Sequence, residues 1–334
     1  MASKVQRGQF YTTNAPRLMT GMPKPPPEAR CVIEPFAGQG DLVRWAQENT
    51  KLKVKAFDIE PKAPGIKKRD TLMRPPIYKD AWVITNPPYL CKAHADDKRP
   101  FELYDTNDLF RAFIVSLAKQ KKCMGGVFIL PPSFFNGTRP QDVACRNLFM
   151  KRYVITYIKY YETQTFKDTP IPIVVFSFER SKKLMKQQVV KVKHFPSKNI
   201  KYMTLSKEHG WVPGGEWKSI PRDLKLPKVE TVSSGSGFLL TSADSGPNRI
   251  HLSVQTDPVS SSKTYQVLKI HKQMTAKQKQ AACEAFNNYV ELARKETFSL
   301  FLGTFKQLHR KQIQMSFAKE LIGLCAEASL NMCV

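Results

Sequence analysis

The chain has 334 residues, of which 42% are hydrophobic, and its 53 Lys and Arg outnumber 28 Asp and Glu. This size and hydrophobic content support one large or two ordinary domains, and exclude a chain that is disordered throughout. The formal net charge of +25 favours a polyanionic partner, most commonly nucleic acid. No apolar run is long enough to span a membrane, and the N-terminus lacks the apolar segment of a signal peptide. Seven widely spaced cysteines without a Cys-x-x-Cys pair favour a reducing compartment, so we expect a cytoplasmic protein.

Residues 1–180 alternate short apolar runs with helical segments. The apolar runs predict buried strands at residues 31–34, 54–57, 82–85, 126–130 and 173–178. The intervening segments predict helices at residues 41–49, 105–121 and 141–151. Because strands that alternate with helices form parallel sheets, we expect an α/β fold with a Rossmann-like, mostly parallel, doubly wound sheet.

Residues 181–334 have a different pattern, in which strands are doubtful. The serine- and glycine-rich stretch Ser233–Gly237 and the run Ser260–Ser262 are typical of loops. Helical spacing predicts a helix from Thr275, its N-cap, to about Phe305, and a last helix over residues 312–324. We therefore expect a smaller C-terminal region of mixed or helical structure, with the domain boundary at residue 180.

The tetrapeptide Asn86-Pro87-Pro88-Tyr89 directly follows the predicted strand 82–85. Ligands of open α/β sheets bind at the carboxyl ends of strands. An amino group on an aromatic base is a poor nucleophile because its lone pair is delocalised. The side-chain oxygen of Asn86 and the carbonyl of Pro87 are two acceptors that could hold such a group, and Tyr89 offers a face for stacking. This pattern indicates catalysis by positioning and electrostatics; the alternative interpretation is a Pro-Pro turn that ends a strand.

Upstream, residues 32–42 read as a strand, a turn with Gly38 and Gly40, and a helix start. Such a turn lets the backbone approach a ligand, and the absence of a Gly-x-Gly-x-x-Gly pattern favours a nucleoside over a dinucleotide. An acidic residue at the end of the second strand can bind both ribose hydroxyls, and spacing does not choose between Asp58 and Glu60. Asp70 could accept a hydrogen bond from an adenine amino group, or be an ordinary surface turn residue.

In this order the motifs resemble those of S-adenosylmethionine-dependent amino-methyltransferases. The resemblance is greatest to the DNA adenine-N6 class, in which the cofactor motifs precede the target-recognition region. It covers residues 7–180, and it rests on segments 8–13, 34–40, 58–61, 69–72, 86–89, 125–131 and 162–168. It implies that residues 1–180 are a catalytic domain that binds S-adenosylmethionine and residues 181–334 are a basic region that recognises DNA.

The resemblance also implies individual roles. The expected cofactor-binding residues are Phe10, Tyr11, Thr12, Glu34, Phe36, Gly38, Asp58, Ile59, Asp70, Asn86 and Phe110, with Leu109 as the alternative to Phe110. The family usually has a small residue or Cys near the position of Phe36, so this chain departs from the pattern there. Asn86, Pro87, Tyr89 and Phe166 are the expected catalytic residues. Phe166 would stack on the target adenine opposite Tyr89.

The function implied is methyl transfer to N6 of an adenine flipped out of duplex DNA, as the protective half of a restriction–modification system. We expect a monomer that forms no stable complex with its cognate restriction endonuclease. Candidate DNA contacts in the C-terminal region are Lys191, Lys193, Asn248 and Arg249. The histidines show no ligand spacing, so no metal site is predicted.

Two alternatives remain at this stage. The same tetrapeptide chemistry suits a methyltransferase that acts on RNA or on a protein glutamine, because any planar NH₂ group presents the same two N–H donors. The long basic extension weighs against a protein substrate. A non-catalytic nucleic-acid-binding protein with a relic fold is the other alternative, and the intact tetrapeptide argues against it.

Overall fold

The computed structural model describes residues 12, 14–120, 122–165, 171–181, 183–221, 223–244, 249–304 and 310–331. The chain forms two compact units, Met1–Trp211 and Val212–Val334. None of the described helices is long and apolar enough to cross a lipid bilayer.

The first unit contains one nine-stranded sheet. Its strands are β1 (Cys31–Glu34), β2 (Lys53–Asp58), β3 (Lys67–Lys68), β4 (Ala81–Thr85), β5 (Gly125–Leu130), β6 (Tyr153–Tyr161), β7 (Ile173–Arg180), β8 (Gln187–Phe195) and β9 (Ile200–Ser206). The spatial order is β3-β2-β1-β4-β5-β7-β6-β8-β9. From β3 to β5 every pair is parallel, whereas β7 is antiparallel to both neighbours, β8 is parallel to β6, and β9 is antiparallel to β8.

One helix precedes β1, and the other helices of this unit lie between its strands along the chain. They are α1 (Ala15–Met19), α2 (Asp41–Asn49), α3 (Arg99–Tyr104), α4 (Leu109–Gln120), α5 (Ser133–Asn136) and α6 (Pro140–Met150). Every residue of β1, β4 and β5 is buried, as expected for central parallel strands that are covered on both faces. The predicted α/β fold with a mostly parallel, doubly wound sheet is therefore confirmed.

The strand order determines where a ligand can bind. Strand β1 has β2 on one side and β4 on the other. The strands that follow β1 in the chain are therefore added first on one side of it and then on the other. Ligands of open α/β sheets bind outside the carboxyl ends of the strands at such a switch point. The segments after β1, β2 and β4 meet there, and all three carry residues expected in the site.

The sequence prediction missed part of this sheet and placed its end too early. Strand β6 was not predicted, and β8 and β9 lie in the region where strands were doubtful. Their lysines and glutamines break up the apolar runs from which strands were predicted. The predicted boundary at residue 180 falls between two strands of one sheet, and the first compact unit continues to Trp211.

The second unit is a mixed α/β structure of its own. Its four-stranded antiparallel sheet has the order β10-β13-β11-β12, and its other described elements are two short strands, two α-helices and the 3-10 helix Gly215–Lys218. The bounds are β10 (Val229–Val232), β11 (Ser234–Thr241), β12 (His251–Ser260), β13 (Tyr265–Ile270), β14 (Gly303–Thr304), β15 (Lys311–Gln312), α7 (Ala276–Thr297) and α8 (Met315–Asn331).

Helix α7 begins where it was predicted, because the Thr275 side chain accepts a hydrogen bond from Gln278 and the Gln278 side chain caps Thr275 in return. It ends at Thr297, earlier than predicted. The expected loop at Ser233–Gly237 is wrong, since β11 begins at Ser234. Backbone pairing with β12 holds this glycine-rich segment in the sheet, and local sequence does not reveal that pairing.

Candidate active site

A cavity of about 300 Å³ lies at the carboxyl edge of the parallel strands in the first unit. Its volume is at the lower end of the range for small-molecule sites. Most of the predicted cofactor residues that the structure describes line this cavity. They are Thr12, Glu34, Phe36, Gly38, Asp58, Ile59, Asp70 and Asn86. The sheet topology thus brings together residues that are far apart in sequence.

The glycine loop between β1 and α2 forms one wall. Gly38 and Gly40 have φ angles of +50° and +83°, a left-handed conformation that favours glycine. Gly40 is the N-cap of α2, and the first turn of this helix contributes Asp41 to the cavity. The free N–H groups and positive dipole end of a helix N-terminus favour an anionic group on a ligand.

Glu34, at the end of β1, is fully buried. Its Oε1 accepts hydrogen bonds from Thr85 Oγ1 at 2.6 Å and from the Phe36 N–H at 2.9 Å. Its Oε2 has no hydrogen-bond partner among the described residues. Burial raises the pKa of Glu34 to about 8, and the nearby carboxylate of Asp58 adds to that shift. Without a ligand the neutral, protonated form is therefore favoured near pH 7, and a cationic ligand group beside the unpartnered oxygen would favour the ionised form.

Asp58, at the end of β2, lines the cavity and is 5% exposed. Its two oxygens accept the backbone N–H groups of Gly38 and Glu60, each at 2.8 Å. Burial also raises the pKa of Asp58. Glu60 instead forms an ion pair with Lys62 at 2.5 Å and is not part of the cavity wall. Of the two carboxylates that spacing left open, the geometry favours Asp58 as a ligand contact.

Asn86 is held between two hydroxyl groups directly after β4. Its Nδ2 donates to Thr12 Oγ1 at 3.2 Å, and its Oδ1 accepts from the Tyr89 hydroxyl at 2.5 Å. The Tyr89 hydroxyl is also 2.7 Å from the carbonyl oxygen of Ile129, its second acceptor. Burial raises the pKa of Tyr89 well above its usual value, so this group stays a hydroxyl. The contacts restrict the Asn86 amide, which is the expected acceptor for an amino group.

The other residues of the tetrapeptide differ in position. Pro88 lines the cavity with Asn86, whereas Pro87 and Tyr89 are buried and are not among its lining residues. The Tyr89 ring is 5% exposed and packs edge-on against Phe110, with ring centroids 6.2 Å apart. Stacking of a base on Tyr89 therefore stays a prediction.

Phe110 is fully buried behind Tyr89 and does not line the cavity, whereas Leu109 does. The assignment of a cofactor contact to Phe110 is not supported by this geometry. Both residues are in the first turn of helix α4, where successive side chains point in different directions. Leu109 therefore contacts the cavity, whereas Phe110 packs against Tyr89. Phe36 lines the cavity despite its size and packs edge-on against Phe113, with ring centroids 5.3 Å apart.

The second wall comes from residues after β2 and β4. Asp70 Oδ1 accepts the backbone N–H groups of Leu72 and Met73, each at 3.1 Å, which fixes this turn beside the cavity. The wall also contains residues that were not predicted as contacts, namely Ala37, Gln39, Asp41, Leu42, Arg69, Thr71, Leu72, Pro88, Leu90, Ala95, Asp96, Asp97 and Pro100. Arg69 belongs to segment 69–72, on which the resemblance partly rests. The loop after Tyr89 follows β4 and contains no motif.

Some predicted site residues are not described by the structure, and others are described outside the cavity. Phe10, Tyr11, Phe166 and Asn248 fall outside the described residues. Lys191 and Lys193 lie on β8 in the first unit, so their assignment to a separate C-terminal region is corrected. Arg249 is exposed in the second unit. Within the described ranges, no group of three or more His, Cys, Asp or Glu side chains is arranged to hold a metal ion.

Comparisons with known proteins found solved structures that resemble this chain, but they found no family to which it belongs. No protein-family model and no curated protein matches the sequence. A solved modification subunit, assigned to a type I restriction enzyme from Vibrio vulnificus YJ016, is 13% identical over 57% of this chain and 48% of that one, with a TM-score of 0.44.

Two other solved structures are comparable. The type I restriction–modification methyltransferase subunit from Streptococcus thermophilus is 15% identical over 55% of this chain and 47% of that one, with a TM-score of 0.40. The EcoKI M protein, a type I restriction enzyme component, is 11% identical over 96% of this chain and 70% of that one, with a TM-score of 0.41. The chain spans about half the length of the first two proteins. At these values the likeness carries no functional argument, which rests instead on the chain's own geometry.

Proposed function

We propose that this chain is an S-adenosylmethionine-dependent DNA methyltransferase that methylates N6 of adenine. The observation that carries the proposal is the Asn86 amide, fixed at the carboxyl end of β4 on the wall of the same cavity as Glu34 and Asp58. An acceptor for an amino group and the acidic contacts for a nucleoside ligand thus share one cavity.

The chemistry of the cavity wall fits S-adenosylmethionine. The molecule carries an ammonium and a sulfonium cation, a carboxylate, two ribose hydroxyls and an adenine ring. The unpartnered oxygen of buried Glu34 suits a cation, Asp58 suits ribose hydroxyls, and the α2 N-terminus suits a carboxylate. Ile59, which is 50% exposed, and Leu109 offer apolar surface for a planar ring. When bound, the cofactor supplies an electrophilic methyl group.

The chain's own contribution to the reaction is positioning. Asn86 Oδ1 and the carbonyl oxygen of Pro87 accept the two N–H groups of the target amine, which draws the nitrogen towards tetrahedral geometry and makes its lone pair available. The cavity wall contributes no lysine or histidine that could act as a general base, among the lining residues that the structure describes. The wall does contain carboxylates, so the proton that the amine loses after methyl transfer passes to water or to one of these groups.

The substrate and partners follow from the charge and the sequence motifs. An adenine within duplex DNA must leave the stack to reach a cavity, which costs a few kcal/mol and requires phosphate contacts on the protein. The net charge of +25 supplies such contacts. We assign catalysis to the first unit and sequence recognition to the second. We also propose that the chain is a monomer, and that it forms no stable complex with its cognate restriction endonuclease.

A transfer experiment tests the proposal. The full chain is incubated with methyl-labelled S-adenosylmethionine and with duplex DNA, RNA or a glutamine-bearing protein in separate reactions, and digested products are identified by mass spectrometry. We expect label on N6-methyladenine from DNA. Label in RNA or on glutamine would reassign the substrate, and absence of label in every acceptor across diverse DNA sequences would overturn the proposal.

A further inference from the structure

Strands β8 and β9 have one buried face and one open face. On the buried face, Val190, Val192, Met203 and Leu205 are nearly inaccessible. On the opposite face, Val189 is 67% exposed, Ile200 46% and Tyr202 71%. A β-strand alternates its side chains between the two faces of a sheet, so these exposed apolar residues share one surface.

Two lysines complete this surface. Lys191 lies directly opposite Tyr202 in the antiparallel pair, and Lys193 lies opposite Ile200. We call Val189, Lys191, Lys193, Ile200 and Tyr202 the β8–β9 face. No ion pair to either lysine occurs among the described residues, and the Lys193 charge is close enough to lower the pKa of Lys159. The face therefore carries uncompensated positive charge.

Aromatic rings lie beside both lysines. Lys191 Nζ is 5.7 Å from the ring centroid of Tyr157, and Lys193 Nζ is 5.5 Å from that of Phe195. The first contact directs the Lys191 ammonium group towards β6, whereas Phe195 is on β8 itself, so the second contact keeps the Lys193 ammonium group beside its own strand. Strand β9 is the last strand in the sheet order, so Tyr202 is also near an open edge.

We propose that the β8–β9 face binds an unpaired nucleic-acid strand, with a base stacked on Tyr202 and the adjoining phosphates held by Lys191 and Lys193. An exposed aromatic ring beside cationic side chains on a sheet is suited to a single strand, because each base offers a planar face and each linkage a charge. Duplex DNA presents phosphates but hides the faces of its bases. This proposal concerns binding alone and does not depend on methyl transfer.

Fluorescence anisotropy with labelled oligothymidylate of about 12 nucleotides, within the usual range of site sizes, tests the proposal. Thymine has no exocyclic amino group, so this probe is not a methyl acceptor. We expect Tyr202→Ala to weaken binding about 10-fold and Tyr202→Phe, which keeps the ring, to stay within about twofold of the parent chain. Binding to a blunt duplex should change less than about twofold in Tyr202→Ala.

The lysines have a separate readout. For Lys191→Gln/Lys193→Gln, the slope of log affinity against log salt for the single strand should fall by about 1.4, or about 0.7 for each lost phosphate contact. Lys53→Gln/Lys55→Gln is the matched control, since these exposed lysines have the same spacing on β2 of the same sheet. That control should leave the slope within about 0.3 of the parent value, because the proposal assigns no strand contact to β2.

Three results would overturn the proposal. One is unchanged single-strand affinity in Tyr202→Ala with a folded chain, judged by its melting curve. Another is equal loss in Tyr202→Phe and Tyr202→Ala, which would indicate a hydroxyl contact. The third is a dimer in sedimentation experiments that disappears in Tyr202→Ala, since a second copy would then cover the face. Failure of methyl transfer with intact oligothymidylate binding would count against the proposed function alone.

Discussion

The two halves of the large sheet differ in strand direction and in what they carry. From β3 to β5 all strands are parallel, and the segments that follow β1, β2 and β4 form one cavity. From β7 to β9 most pairs are antiparallel, and the outer strands carry the β8–β9 face. Parallel strands end at one edge and gather distant residues there, whereas antiparallel pairs spread their side chains over a surface. We therefore expect changes in the first half to affect chemistry and changes in the second half to affect binding or stability.

The largest effect is expected from Asn86→Ala in the parallel half. Loss of the side-chain acceptor should lower kcat for methyl transfer about 1,000-fold, since removal of one preorganised polar group costs that much in comparable sites. DNA affinity should stay within about threefold, because Asn86 contributes no charge. Single-turnover kinetics and anisotropy measure the two quantities. Asn49→Ala, at the exposed end of α2, is the control, and equal loss of transfer and DNA binding in Asn86→Ala would indicate a structural role.

The next largest effect separates the two carboxylates after β2. Asp58→Asn should weaken S-adenosylmethionine binding about 10- to 100-fold, the value of one or more hydrogen bonds to a charged group. Glu60→Gln should change it less than about threefold, because Glu60 is paired with Lys62 and not with the cavity. Isothermal titration calorimetry measures the affinity of both variants for S-adenosylmethionine. A larger loss in Glu60→Gln would reverse the assignment.

A smaller effect comes from the ionisation of Glu34. Between pH 4.5, its ordinary value, and about 8, folded Glu34 holds a proton that the unfolded chain has lost. Stability should therefore fall as pH rises through this window and level off above it. Glu34→Gln should remove this part of the slope in melting temperature against pH, and Glu48→Gln, on the exposed side of α2, should not. An unchanged slope in Glu34→Gln would contradict the buried, protonated state.

Ligand binding offers a second readout of the same group. A cation placed beside Glu34 Oε2 favours the ionised carboxyl, so binding of S-adenosylmethionine at pH 7 should release up to one proton. Calorimetry in two buffers of different ionisation enthalpy measures this release. Glu34→Gln should release none from this site and bind about 10-fold more weakly, as expected for a lost charge-assisted contact. Equal release in both proteins would place the cation elsewhere.

The smallest expected effects compare one substitution in each half of the sheet. Thr85→Val removes a donor that lowers the pKa of Glu34, so it should raise that pKa further and weaken cofactor binding a few-fold at neutral pH. Thr156→Val breaks a 2.7 Å hydrogen bond to buried Ser177 between β6 and β7. It should lower the free energy of unfolding by about 1 kcal/mol and leave cofactor affinity unchanged. If Thr85→Val and Thr156→Val changed cofactor affinity by similar amounts, the expected difference between the two halves of the sheet would be contradicted.

The same division determines what the sequence could predict. In the parallel half, continuous apolar runs predicted β1, β2, β4 and β5, and the motifs predicted eight of the 22 described residues that line the cavity. The choice between Leu109 and Phe110 needed the phase of α4, and the choice between Asp58 and Glu60 needed the ion pair to Lys62. Both are features of the three-dimensional structure that the sequence pattern does not specify.

Outside that half, partners distant in sequence decide the structure. Strand β8 mixes lysines and glutamines with apolar residues, β9 contains a lysine, and β11 contains glycines that pair with β12. Their strand character depends on these tertiary neighbours rather than on local pattern. The boundary at residue 180 was wrong for the compact unit for the same reason.

The central claim is that Asn86 holds the amino group of an adenine that has left the duplex. A crystal structure of the chain with S-adenosylhomocysteine and duplex DNA that contains an unmethylated target adenine tests this most directly. The account predicts adenine N6 within about 3.2 Å of both Asn86 Oδ1 and the Pro87 carbonyl oxygen, at the edge of a cavity filled by the nucleoside. A nucleoside bound elsewhere, or an adenine held away from Asn86, would contradict it.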